Sequence, residues 1–309
     1  MIRRRKPIHF VFSAHGASEI YRKKPLSKNV KTFVTEGGEG WPADKLFTRE
    51  VVAKLPESKK REYTKKQFFL SLLESGKKLV IGETVIPNSI EKEKLHLLHY
   101  KMFRFLETAA SKPSLINVKK YLVAVARYNK FRHKLIRRTI KKLIKQKEIP
   151  LEAQYGTYHS LLSNELKKRG IESSREIMPQ VFDWETILLR KLMLGIKPQS
   201  ISPVEYKKGV ISFRANINKN MTKIITGKYH SKITDRDFRF LSLVETTLLN
   251  RLEEKQIDEI IKKRDVSLMF EFNGLPNPFK ENTPYKEFRK KLVEFLNKYS
   301  EFQKTHKQF

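Results

Sequence analysis

Four residues of this 309-residue sequence could do chemistry together: His15, Glu36, Arg132 and His159. Two imidazoles and a carboxylate suit a hard or borderline divalent metal such as Mn, Co or Zn, with His15, Glu36 and His159 as its ligands. The same set suits metal-free general acid–base hydrolysis, with one histidine held by Glu36 and the other activating water. Arg132 would then meet the negative charge that develops on a substrate oxygen. Each residue also has a purely structural use. His159 could cap the helix after it, Glu36 beside two glycines could be a turn acid, and Arg132 could form a structural ion pair. Glu19 and Glu83 are secondary candidates. His96 and His99, three apart in LHLLHY, have a spacing that permits a metal pair on one helix face, but packing or surface placement accounts for them as well. There is no GxSxG, HExxH, EF-hand or Walker motif, and Gly37-Gly38-Glu39-Gly40 is followed by Trp41-Pro42 rather than the Lys-Ser/Thr of a phosphate loop.

The elements that must position these groups are readable from apolar periodicity. Ile8 to Ala14, Lys31 to Thr35, Lys78 to Ile81 and Leu151 to Gln154 read as buried strands, the last of them the weakest, and Ile171 to Ile177 as an edge strand. Helices are predicted over Ser58–Leu73, Ser89–Ala110, Ser114 to about Glu148, and for about ten residues after His159 up to Gly170. Strands alternating with helices imply crossover connections and a mainly parallel sheet, an α/β fold. In such sheets ligands bind at the carboxyl ends of the strands. His15, Glu36, Glu83 and His159 all fall at or just past a predicted strand end. On the long helix, Arg132, Ile136, Ile140 and Leu143 share one stripe, so the arginine should point inward and need a partner, Glu36 or a ligand anion. Beyond Pro179 the sequence is helix-rich: Asp183–Leu194, Thr234–Lys263 and Pro284–Tyr299 read as helices, and Val210–Ile225 is ambiguous. A domain boundary near 180 is expected, with 181–309 a helical second domain or a cover.

Taken in order, these segments resemble the erythromycin esterase/ChaN/TraB–Tiki superfamily. His15-Gly16-x-x-Glu19 is similar to the HGxxE that ends the first strand in the erythromycin esterase group. Glu36 in TFVTEGGEG matches the acidic end of the second strand in TraB and Tiki proteins. FRHKLIRRTI, with Arg132, is similar to their R-N-x-x-M-x-x-x-I helix, and Gly156-Thr157-Tyr158-His159 looks like the second G-x-x-H. The resemblance covers residues 8–172. The sequence departs from the pattern at Phe12, where glycine is expected, and at His133, where asparagine is usual. The resemblance implies two histidines and a carboxylate converging above the sheet, with an arginine reaching in from the long helix. Members include hydrolases, metal-dependent proteases and a haem-binding branch, so the implied activity is hydrolysis of a small-molecule or peptide substrate by an esterase or metalloprotease-like site. A non-catalytic nucleic-acid-binding protein on a degenerate version of the same fold, and haem binding at the same pocket, stand as alternatives.

Charge bears on partners. There are 65 Lys plus Arg against 33 Asp plus Glu, a net charge of +32 and a pI near 10.1. Self-repulsion on that scale favours neutralisation by a polyanion, RNA or DNA, or another acidic partner. On the long helix Arg137, Arg138, Lys141, Lys142 and Lys145 form a strip on adjacent turns, suited to phosphates without base readout. An anionic membrane surface would use the same charges. The absence of cysteine excludes disulfides, thiolate metal sites and a cysteine nucleophile, and fits a reducing compartment. The apolar run near the N-terminus is too short and polar for a signal peptide, and no window approaches a spanning helix, so a cytoplasmic location is expected.

Overall fold

The structure, a computed structural model, describes residues 8–13, 30–35, 76–81, 89–156, 159–177, 182–227, 235–277, 279 and 284–299. The predicted helix over 58–73 lies outside them. The chain divides into two compact units, Met1–Leu98 with Tyr128–Pro179, and His99–Arg127 with Gln180–Phe309. Residues 99–127 therefore go with the C-terminal unit.

The first unit is built on a five-stranded sheet: β1 (Ile8–Ser13), β2 (Thr32–Thr35), β3 (Lys78–Ile81), β4 (Leu151–Gly156) and β5 (Ser173–Ile177). The order is β3-β2-β4-β1-β5 and every pairing is parallel. The α/β reading is thus met, with β5 at an edge. β4, the weakest of the predicted strands, lies between β1 and β2. Its alternate residues Leu151, Ala153 and Tyr155 are all buried in the core, which outweighs its modest β propensity.

Helix α1 spans Ser89–Ser111 and α2 spans Leu115–Lys145; both contribute residues to each unit. Ile136, Ile140 and Leu143 of α2 pack with Ile8, Phe10, Val34 and Ala153 of the sheet. The short α3, Leu161–Lys167, adds Leu162 and Leu166 to this core and is followed by a turn that closes at Gly170, which takes the left-handed φ of +74°.

The second unit is helical: α4 (Trp184–Met193), α5 (Pro203–Ile217), α6 (Lys219–Thr226), α7 (Asp235–Arg251), α8 (Glu254–Lys263), α9 (Leu268–Glu271) and α10 (Tyr285–Lys298), around a core of its own. The ambiguous segment 210–225 belongs to α5 and α6, divided at Asn218, whose side chain accepts from the Met221 N–H. The expected single helix over 234–263 is instead two. Leu252 turns into the core, and the Glu253 N–H donates to the Gln256 side chain at 2.9 Å, starting a new helix. Among the described residues no helix is long and apolar enough to cross a membrane.

Gly209 lies inside α5 where α4 passes closely; a Cβ there would run into Leu188 Cδ1. Gly209→Ala is expected to lower stability by about 1–3 kcal/mol despite alanine's better helix propensity, because a packed contact must open. A urea melt checks this, and an unchanged or raised midpoint would count against such a close approach.

Candidate active site

The register of the sheet defines one carboxyl edge. Ser13 of β1 pairs with Gly156 of β4, and Thr35 of β2 with Gln154. His159 follows β4 by three residues, while β1 and β2 end two residues and one residue before His15 and Glu36. The residues His15, Glu19, Glu36 and Glu83 themselves lie outside the described residues.

Helix geometry brings α2 to the same edge. The chain runs from Lys145 into β4 at the opposite, amino edge of the sheet. Arg132 stands thirteen residues back along α2, roughly 20 Å at 1.5 Å per residue. The six residues of β4 climb about the same height. Arg132 and His133 therefore reach the level at which His159 leaves the strand.

Here the structure assembles a buried polar chain. Arg132 Nη1 lies 3.4 Å from His159 Nε2. His159 Nδ1 lies 2.9 Å from His133 Nε2, and His133 Nδ1 lies 3.1 Å from Glu165 Oε1. Arg137 forms an ion pair with the other oxygen of Glu165. Arg132 also reaches Asn129 Oδ1 at 3.5 Å and stands over the Tyr128 ring. His133 and His159 are each 1% exposed and Arg132 is 8% exposed, whereas Glu165 is 32% exposed and joins the chain to the surface. Burial, and then the charge of Arg169, push the Arg137 guanidinium below its ordinary value.

Asn129, His133 and Arg137 are successive residues of one i, i+4, i+8 stripe on α2, beside the Arg132–Ile136–Ile140 stripe. The inward direction of Arg132 agrees with the sequence pattern. His133 and Glu165 were not singled out by sequence. The one sign was that His133 replaces an asparagine of the resembled family, and nothing local connects it with Glu165, 32 residues away.

Proton positions follow from what each group can do. A guanidinium only donates, so His159 Nε2 accepts from Arg132. A neutral imidazole carries one N–H, which therefore sits on His159 Nδ1 and donates to His133 Nε2. The proton of His133 is then on Nδ1 and donates to Glu165, an acceptor beside Arg137. All three bonds are satisfied with both imidazoles neutral.

Of the three expected metal ligands only His159 is among the described residues. One ring nitrogen is taken by His133, and the other faces a guanidinium that would repel a dication. Among the described residues there is no group of three His, Cys, Asp or Glu able to hold a metal ion. His96 is exposed and the His99 ring makes an edge contact with Phe103, 4.6 Å between centroids.

The expected basic strip divides in two. Arg137 is engaged with Glu165, and Arg138 is paired with Glu91, which also binds Lys134 at 2.8 Å. The Lys134 hydrogen bond, with Arg138 beside it, holds the Glu91 carboxyl below its usual value. Lys141, Lys142 and Lys145 are exposed and carry no ion pair among the described residues.

No protein-family model, curated protein or solved structure matches the chain.

Proposed function

We propose that the carboxyl edge of the sheet hydrolyses an ester or amide by metal-free general acid–base catalysis, with His159 and Arg132 as the catalytic residues. The observation that carries this reading is the buried Arg132–His159 pair at that edge, a base and a fixed positive charge side by side. Its 3.4 Å bond is longer than the 2.9 Å and 3.1 Å links through His133, so an attacking water or a substrate oxygen would displace it more cheaply than those. In the reaction, His159 Nε2 takes a proton from water as the water oxygen bonds to the acyl carbon. Arg132 stabilises the resulting oxyanion, and the imidazolium returns the proton to the leaving alcohol or amine as the old acyl bond breaks. The test is a panel of small esters and short peptides, with and without a chelator. Hydrolysis that survives chelation and is lost in His159→Gln supports the reading; hydrolysis that depends on added metal overturns it.

A second reading, contact with a polyanion, is favoured by Lys141, Lys142 and Lys145, three cations on adjacent turns left free of internal pairing among the described residues. Replacing all three by glutamine is expected to lower the slope of log affinity against log salt for single-stranded RNA by about 2, at roughly 0.7 per phosphate contact. Filter binding from 50 to 300 mM salt measures it. An unchanged slope would place any polyanion elsewhere.

A further inference from the structure

We infer that Glu165, clamped by Arg137, positions His159 through His133 and so fixes which ring nitrogen of His159 is offered to a substrate. The inference rests on the hydrolytic reading for its consequence, but its geometry stands independently of it.

The four groups come from two helices and the segment that leads into the second. α2 supplies His133 and Arg137 one turn apart, and α3, which begins two residues after His159, supplies Glu165. Because α3 continues directly from the His159 segment, Glu165 and His159 are held together by local chain, and both face His133. A carboxylate alone could be protonated and donate; paired with a guanidinium it stays ionised and can only accept. His133 must then keep its proton on Nδ1 and present Nε2 as an acceptor. His159 must accordingly place its own proton on Nδ1, which leaves the Nε2 lone pair at the Arg132 end. If the chain ran the other way, His159 would carry Nε2–H against the Arg132 N–H groups, two donors face to face. Such a site could not take a proton from water. Direction along the chain, which Arg132 favours at the buried end, is thus fixed at the surface end as well, by an ion pair roughly 10 Å or more from the reacting nitrogen, the length of two hydrogen bonds and two rings.

His133 and Glu165 act through His159 and are positioning residues. Arg137, singled out by sequence as part of a phosphate strip, serves in this arrangement as the clamp on Glu165.

The experiment is long-range proton–nitrogen NMR of the full chain labelled with 15N-histidine. There are eight histidines, assigned by single substitution. At a pH where both rings are neutral, His133 and His159 are each expected to show a protonated Nδ1 and a bare Nε2. In Glu165→Gln the amide can donate to His133 Nδ1 as well as accept from it, and a partial population with protonated Nε2, limited by the Arg132 donors that face His159, is expected on both rings. Glu165→Asp, which retains an ionised acceptor, is expected to restore the original pattern. Wild-type His159 with its proton on Nε2 would overturn the inference. So would a folded Glu165→Gln protein, shown by an unchanged backbone spectrum, with both tautomers unaltered. Hydrolysis adds a separate reading: kcat should fall roughly 10- to 100-fold in Glu165→Gln with KM little changed, the pattern of a group felt in the transition state. Absence of hydrolysis in every protein would end the catalytic reading and leave the tautomer result to decide the positioning.

Discussion

His159→Gln is expected to lower kcat/KM for hydrolysis by 10²–10⁴-fold, about 3–5 kcal/mol of transition-state stabilisation. Glutamine is the informative replacement because its amide N–H can still donate to His133 Nε2, so the buried network keeps a partner while the titratable nitrogen disappears. Alanine would also leave His133, 1% exposed, with an orphaned acceptor and a cavity, and would mix a folding loss of about 1–3 kcal/mol with the chemical one. A companion change, Arg132→Met, removes the positive charge and keeps much of the packing of the stem. A further loss of about 10²–10³-fold is expected in kcat, the usual scale for a missing oxyanion donor. The two losses should not add when combined, because both groups act in one step. Steady-state kinetics on the best substrate of the panel, with urea melts alongside, separates chemistry from folding. If both variants hydrolyse at the wild-type rate while folding normally, the Arg132–His159 pair is structural and the catalytic assignment fails.

The second large effect lies in the helical unit and concerns stability against pH. Glu245, on α7 and 4% exposed, has one carboxylate oxygen without a hydrogen-bond partner. Ser212 and the Trp184 backbone serve the carboxylate, but burial first, and the nearby charges of Asp183 and Glu185 next, push it well above the usual carboxyl range. Glu185 is raised to about 7, by burial first and by Asp183 second, against hydrogen bonds from Asn216 and Tyr121. The Asn216 amide stands between them, 3.4 Å from Asp183 and 3.5 Å from Glu185. In a chain with a charge of +32, three carboxyls thus gather with no basic group among the influences on either glutamate. Folded-state values above the unfolded value mean that the native protein holds protons the unfolded chain releases. Stability is then highest at low pH with respect to these groups. It falls as pH rises from about 4.5 through about 7 for Glu185, and continues falling higher for Glu245. The limiting slope is about 1.4 kcal/mol per pH unit per group. Allowing for the partial exposure of Glu185, wild type is expected to lose on the order of 2 kcal/mol between pH 5 and pH 8. The double variant Glu185→Gln, Glu245→Gln should lose less than about half of that and be the more stable protein at pH 8. Urea unfolding followed by fluorescence of Trp184, which adjoins the cluster, in a Trp41→Phe background is the measurement. A wild-type profile flat over this range, or one unchanged by the double substitution, would show that the carboxyls are solvated and their proximity harmless.

Much of the fold and part of the site are legible in the sequence. The strands of Ile8, Phe33 and Val80 announce themselves by apolar, β-branched runs and that of Leu151 only weakly, and their alternation with helices implies parallel pairing. The stripe that carries Arg132 inward repeats every turn of α2, a local rule that any sequence reader can apply. The segmentation of the helical unit was less readable. The break at Leu252–Glu253 comes from a buried leucine and a side-chain cap, neither of which interrupts helix-forming composition. In the site, Arg132 and His159 were marked by their motifs, while His133 and Glu165 were not.

What the sequence determined by itself was therefore everything that repeats over a few residues: strand and helix identity, the inward face of α2, the basic excess and the absence of cysteine chemistry. What only the tertiary structure decided was which polar groups meet. His133 finds His159 26 residues on and Glu165 32 residues on because the stretch of α2 from Arg132 to Lys145 descends the sheet by about the height that β4 climbs back. By the same packing Arg137 is drawn into an ion pair while Lys141, four residues on, stays exposed. Local propensity carries no information about such meetings, since they depend on strand order and register, which hydrophobic packing of the whole sheet selects.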